Sequence, residues 1–338
     1  MIFDFLKKQN IPDKILSKKY MKDFFDKRLS EIDGEAKKIN KIEIYPAKKH
    51  IEKKLFHLVV FYKLFIEKKN GDKKQQMLVY IGHSDNLRKK AYSVLKLAGE
   101  KIQNEEYGVP TLLWYIDNLE GFFYYNVHGS NILNKVKNDI DVGYFIKLTA
   151  RFFAEFHQIE SNTKLGLKKF EFDLKYLDPS GLIEKNKNNK YLQDILSFYK
   201  KIKEEKNNFE LRLSHGDLHL ENIIANIDHN WIRVIDFSEA CLAPIEYDLG
   251  SFVQQLRFMT KRKLDKQKLD RLEKLFLDEY FETSNIKRTK EVEQKINLFK
   301  AWTALKSAVS YLYFGDKYLD KIEYLLGEVK YYLAEYDK

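Results

Sequence analysis

Only one of the 338 residues is a cysteine, Cys241. A lone thiol cannot build an internal disulfide framework, so packing has to hold the chain together, and a reducing cytoplasm is the expected setting. Long apolar runs are missing as well. No stretch approaches the roughly 20 residues that cross a bilayer, and the opening MIFDFLKKQNIPDK has neither the apolar run nor the small-residue cleavage site of a secretory signal. A membrane role is therefore not expected. There is no helix-turn-helix, zinc-finger or RNP pattern, so nucleic acid is not the expected partner. The net charge of +10, from 60 Lys and Arg against 50 Asp and Glu, is interspersed with acids along helical stretches, as on a solvated surface. It still favours anionic ligands such as nucleotides. No internal repeat is visible. What the chain does have is apolar content, 44% of it, enough for a packed globule, and length for two lobes with their own cores.

The chemistry is concentrated in Leu213–Gly250. His215-Gly216-Asp217 is followed by Asn222, a short hairpin through Ile223–Ala225 and Ile232–Ile235, and then Asp236. Phosphoryl transfer from ATP needs a carboxylate near the acceptor hydroxyl and oxygen ligands for Mg²⁺ ions on the phosphates, because catalysis is mostly positioning and charge neutralisation. Asp217 suits the first task; Asn222 and Asp236 suit the second. The five-residue step from Asp217 to Asn222 is the spacing of a kinase catalytic loop, with Gly216 in place of the usual arginine. Two rivals are weaker. Asp217, Asn222 and Asp236 could be ordinary turn and cap residues. A metal hydrolase would use His215 and His219, four apart, or the DxH of Asp217-Leu218-His219. Gly216 sits where a helical zinc site wants Glu, and the chain has no Gly-Asn-His.

Three motifs, HGDLHLEN at 215–222, VIDFSEA at 234–240 and EYDLG at 246–250, resemble the aminoglycoside phosphotransferase and choline kinase superfamily, small-molecule kinases on the protein-kinase fold. Weaker echoes run from about residue 40 onward. The resemblance implies an α+β, two-lobed, kinase-like fold with an antiparallel N-lobe sheet and a mostly helical C-lobe. It implies Asp217 as the catalytic base, Asn222 and Asp236 as metal ligands, and Asp248 as a brace for the catalytic loop. His215 and His219 are expected to pin that loop through hydrogen bonds.

The expected organisation is a helical extension over 1–38 packed on the N-lobe, an N-lobe over 39–127 and a C-lobe over 128–338. Strands are expected at Ile42–Tyr45, Leu55–Ile66 and Met77–Gly82, the last two joined at Asn70-Gly71. A helix capped by Ser84 or Asp85 should run to about Leu97, followed by strands at Leu112–Ile116 and Phe122–Val127. By analogy with the family, the stretch from Tyr124 through Tyr125 to Val127 would give the backbone contacts to adenine. Residues 162–190 read as an irregular insert. Phe145, Leu148, Phe152 and Phe156 form a core stripe ending at His157. Helices are expected near 249–260, 264–283, 287–314 and 317–336.

The N-lobe departs from the family. The 46–54 loop has no glycine to let backbone N–H groups approach phosphates. It offers Lys48, Lys49, His50, Lys53 and Lys54 instead. The third-strand lysine position falls on Tyr80 and its glutamate partner near Lys90, so the usual ion pair is missing. A two-residue turn at Asn70-Gly71 would pair Lys63 with Leu78 and Phe61 with Tyr80. Lys63 would then share a face with Tyr80 and reach the phosphates from the neighbouring strand.

Acceptor candidates are Glu239, Glu246, Asp278, Glu279 and Glu282, with Trp302, Tyr311 and Tyr313. Acids suit a cationic amine and aromatics a quaternary ammonium. The expected activity is ATP- and Mg²⁺-dependent phosphorylation of a hydroxyl on a small molecule: an aminoglycoside, a sugar, or an amino alcohol such as choline. The competing reading is a nucleotide-binding pseudokinase with a scaffold role, favoured by the missing glycines and ion pair and opposed by the intact trio. A protein acceptor is disfavoured by Gly216 and by the short path from Asp236 to Asp248.

Overall fold

The structure is a computed structural model that describes residues 11–52, 55–85, 87–160, 165–174, 190–205 and 209–338. Lys53, Lys54 and most of the expected 162–190 insert lie outside the described residues. The fold is α+β, and the chain divides into two compact units. One runs up to Gly129 and takes back Arg233–Glu239; the other comprises Ser130–Ile232 and Ala240–Lys338.

The first unit begins with short helices α1 (Ile11–Leu16), α2 (Lys18–Asp26) and α3 (Leu29–Ile32). Ser17 caps α2 by accepting the Tyr20 amide. Strands β1 (Ala36–Glu52), β2 (Leu55–Lys68) and β3 (Lys73–His83) follow, then helix α4 (Leu87–Lys101), the short β4 (Tyr107–Gly108), β5 (Leu112–Ile116) and β6 (Gly121–Tyr125). The antiparallel sheet has the order β1-β2-β3-β6-β5. Strict alternation along β2 buries Phe56, Leu58, Val60, Tyr62, Leu64 and Ile66 on one face. That face packs with Leu78, Tyr80 and Phe123 against Ile15, Met21, Phe24 and Phe25 of the N-terminal helices. The Tyr62 hydroxyl donates to the Ile15 carbonyl at 2.7 Å, which satisfies a polar tip inside this core. Helix α4 lies on the other face, where Tyr92 meets Tyr115 and Phe122, each at 5.9 Å.

Two expectations are corrected here. Strand β1 does not stop at Tyr45: it continues through the lysine-rich stretch to Glu52, pairing Lys48 with Val59 and His50 with His57. The β2–β3 register is also shifted by one. Lys63 pairs with Met77 and Phe61 with Val79. The cause is the turn. Lys68 and Asp72 close a three-residue loop whose last residue, Gly71, has φ +92°, so the expected two-residue turn is lengthened by one.

The second unit opens with β7 (Ser130–Asn131), α5 (Ile132–Lys137) and α6 (Gly143–Phe156). Helix α7 (Leu192–Lys203), β8 (Arg212–Ser214) and β9 (Ile223–Asn226) follow. Strand β10 (Trp231–Val234) carries the chain out of this unit, and β11 (Cys241–Ala243) brings it back. Helices α8 (Ile245–Thr260), α9 (Lys266–Ser284), α10 (Lys290–Tyr313) and α11 (Leu319–Tyr336) complete it. Its core joins Phe299, Trp302, Leu305 and Val309 of α10 to Leu325 and Val329 of α11, with Phe170 and Phe172 against them. No helix among the described residues is long and apolar enough to cross a membrane.

Candidate active site

The loop that carries Asp217 is built on Asp248, one of two first-turn acids of α8, which is fully buried. Its Oδ2 accepts the His215 amide at 2.7 Å and its Oδ1 the Gly216 amide at 3.0 Å. His157, at the end of α6, places Nε2 3.1 Å from Asp248 Oδ2 and Nδ1 2.8 Å from the Tyr280 hydroxyl. Burial pushes the Asp248 carboxyl up. The hydrogen bond and charge of His157, with the charge and amide of His215, outweigh that and hold it below the usual range. Gly216, at φ +84°, takes the left-handed conformation that turns the chain outward, which explains why arginine is not found there.

Asp217 is thereby presented with its side chain 53% exposed. Loss of surrounding water pushes its carboxyl up. The His219 hydrogen bond and the charges of His219, Lys306 and His215 prevail and bring it down to about 2. His215 Nδ1 accepts the Asp217 amide at 3.3 Å, and His219 Nδ1 accepts the Glu221 amide at 3.2 Å. Each histidine therefore commits one ring nitrogen to the loop. Asn222 donates through Nδ2 to the Asp217 carbonyl at 2.9 Å. With its NH₂ group occupied, the amide oxygen is the atom left to ligate a cation. Lys306 and Tyr247 were not anticipated. Lys306 Nζ donates to the Tyr247 hydroxyl at 2.9 Å, and that hydroxyl donates to the Gly216 carbonyl at 2.9 Å. Only the EYDLG motif hinted at Tyr247; Lys306, some 60 residues on, left no local signal.

Asp236 belongs to the first unit. It adopts φ +61°, accepts the Ser238 hydroxyl at 2.8 Å, and has Arg88 Nη1 3.5 Å from its Oδ1, with its side chain 44% exposed. A half-exposed carboxylate of this kind is a donor that Mg²⁺ accepts. Arg88 was also unanticipated. Its residue is buried, and its Nε has no hydrogen-bond partner among the described residues.

The expected nucleotide residues divide between the two faces of the sheet. Tyr80 is a core residue, fully buried, with its hydroxyl donating to the Leu119 carbonyl at 2.5 Å. Its expectation as a cofactor contact is corrected by the register. Lys63 instead lies opposite Glu43 and Met77, on the α4 face, with Nζ 5.3 Å from the Phe65 ring centroid. Tyr124, opposite Val79, is on that face too, and burial, with the Asp236 charge, raises its hydroxyl pKa. The Tyr125 hydroxyl donates to the Ile32 carbonyl at 2.8 Å, and its amide is taken by Thr111. Val127 makes no backbone hydrogen bond among the described residues.

Of the acceptor candidates, Trp302 is corrected: it is 1% exposed and walled in by Phe172, Phe170 and Tyr199. Glu279 is engaged by Arg151 at 2.6 Å and Lys147 at 3.1 Å, and Asp278 pairs with Arg288. Glu246 is buried, which raises its pKa. Tyr311 is half-buried among Phe258, Phe314 and Tyr318, with Lys321 over its ring, while Tyr313, Glu239 and Glu282 are exposed.

Solved structures share this fold. A choline/ethanolamine kinase family protein from Mesorhizobium loti aligns with TM-score 0.60 at 12% identity, over 94% of this chain and 97% of its own. Spectinomycin phosphotransferase, solved with ADP and spectinomycin, aligns with TM-score 0.56 at 12% identity over 92% and 97%. Amicoumacin kinase, solved with AMP-PNP and Ca²⁺, aligns with TM-score 0.55 at 13% identity over 82% and 86%. No curated protein sequence matches the chain. The family model described as phosphotransferase enzyme family matches residues 103–283, more than half of the sequence, and the chain belongs to that family.

Proposed function

We propose that the chain transfers the γ-phosphoryl group of ATP to a hydroxyl of a small molecule, an aminoglycoside, a sugar or an amino alcohol such as choline, in a Mg²⁺-dependent reaction. The observation that carries this reading is the braced loop: Asp248 holds the His215 and Gly216 amides, and Asp217 stands outward as an ionised carboxylate. A carboxyl titrating near 2 is a weak base at neutral pH. Asp217 would therefore act first by orienting the acceptor hydroxyl and take its proton late, when bond formation to phosphorus has made that proton acidic. Asn222 Oδ1 and the Asp236 carboxylate would hold Mg²⁺. Bound there, the ion would neutralise charge on the β- and γ-phosphates. The Val127 backbone is the remaining candidate contact for adenine. The relatives' printed ligands, ADP with spectinomycin and AMP-PNP with Ca²⁺, support a nucleotide and a small acceptor. The single cysteine accords with a cytoplasmic setting.

A pseudokinase remains the second reading because the third strand presents buried Tyr80 where the family has lysine. A phosphotransfer assay against amines, sugars and proteins decides between them. Asp217→Ala should lower kcat by about 10²–10⁴-fold while nucleotide affinity is nearly kept. Asp236→Ala should lose both turnover and tight Mg-nucleotide binding. Full turnover in either variant overturns the mechanism.

A further inference from the structure

The first unit contains a cluster of imidazole and cationic side chains that the family pattern does not supply. Three histidines stand in register across three strands: His50 faces His57, and His57 faces His83. Directly opposed residues project to one side of a sheet, and this is the α4 side. The His57 and His83 rings meet edge to face with centroids 4.8 Å apart. Arg88 enters from the first turn of α4, a turn without an acidic residue. Lys48 adds its charge from β1: burial first, and then the charges of Lys48 and Arg88, depress the pKa of His57 and of His83. Three carboxylates face the group, Glu52 on His50 at 3.3 Å, Asp85 on His83 at 3.2 Å and Asp236 on Arg88 at 3.5 Å. The His83 Nδ1 accepts the Asp85 amide at 3.0 Å, so its Nε2 carries the proton.

The second observation is the orphaned donor. Arg88 is 6% exposed, Nη1 is turned to Asp236, and Nε has no partner among the described residues. A buried guanidinium N–H left unmatched is complementary to an oxyanion, and guanidinium N–H groups suit phosphate oxygens. Lys63 cannot take this part: it lies six residues along β2 from His57, about 20 Å away.

Resting on the phosphotransferase reading, we infer that Arg88, with His57 and His83 beside it, binds the polyphosphate of the nucleotide in place of the missing third-strand lysine. Calorimetry with the full chain tests this, using ADP, inorganic tripolyphosphate and adenosine, each with Mg²⁺ and with EDTA. Arg88→Met should weaken ADP and tripolyphosphate by about ten- to hundredfold, in EDTA as well as in Mg²⁺, and leave adenosine unchanged. Arg88→Lys should recover part of the loss, and His57→Ala with His83→Ala, which leaves Arg88 in place, should weaken tripolyphosphate several-fold. ADP binding by Arg88→Met within about twofold of the unaltered chain overturns the inference and leaves the phosphotransferase reading standing. A loss seen only with Mg²⁺ also overturns it, since Arg88 would then act through Asp236 alone. If the unaltered chain binds neither ADP nor tripolyphosphate, the phosphotransferase reading falls too.

Discussion

Asp248 and Asp217 are two carboxylates with depressed pKa values and opposite duties. Asp248 has no access to water, and four partners depend on it: two amides, His157 and, through His157, Tyr280. Asp248→Ala leaves buried donors unmatched and should cost about 3–5 kcal/mol, read as a lower urea midpoint, with turnover lost at temperatures where the variant is still folded. An unchanged midpoint would show that the brace is not structural. Asp217 is held at about 2, below its unfolded value. The stability it contributes is therefore present above its unfolded pKa and lost as pH falls from there through 2. Removing its chief hydrogen-bond donor with His219→Ala should raise that pKa, seen as an upward move of the Asp217 carboxyl in a ¹³C titration. The braced loop was legible in the sequence because Asp217, Asn222 and Asp248 sit in short motifs whose spacing sets their geometry. Arg88 was not, since only the fold places α4 beside Asp236.

At the level of elements, the helices were readable from their apolar stripes and the sheet from its alternation, but the register was not. One extra residue in the Lys69–Gly71 loop moved every β3 side chain by one position, sending Tyr80 into the core and Val79 to the α4 face. The lysine-rich stretch before Glu52 looked like a loop because its side chains are exposed, yet β2 gives its backbone a partner along the whole run. Glycines in helices offer a paired test of packing. A Cβ at Gly250 of α8 would lie 2.7 Å from Phe299 Cβ, 2.8 Å from the Ile296 carbonyl and 2.9 Å from the Lys300 amide. Backbone on α10 cannot yield locally, so Gly250→Ala should destabilise by about 1–3 kcal/mol. At Gly327 of α11 a Cβ meets nothing within 4 Å. Gly327→Ala should raise stability by about 0.5–1 kcal/mol through helix propensity alone. Equal effects on the melting temperature would mean that the α8–α10 contact is looser than described.

For the molecule as a whole, the consequential feature is that neither unit is one continuous piece of chain. The β-sheet unit reclaims Arg233–Glu239 from the far side of the catalytic loop. That segment brings Asp236 to Arg88 and packs the helical turn Phe237–Glu239, with fully buried Phe237, beside α4. A cut after Gly129 therefore removes part of the first unit's own structure. In a fragment ending there, Arg88 loses its carboxylate and α4 loses the packing of the Phe237–Glu239 turn beside it, so an ion pair and an apolar contact go together. Helix α4 and the His83 end of β3 should then exchange amide hydrogens far faster than in the full chain. Tethering residues 233–239 to the fragment through a flexible linker should restore their protection, whereas the same tether carrying Asp236→Ala and Phe237→Ala should not. Full protection of α4 in the bare fragment would mean that the returning segment is a passenger on the sheet and that Asp236 is not held in place through Arg88.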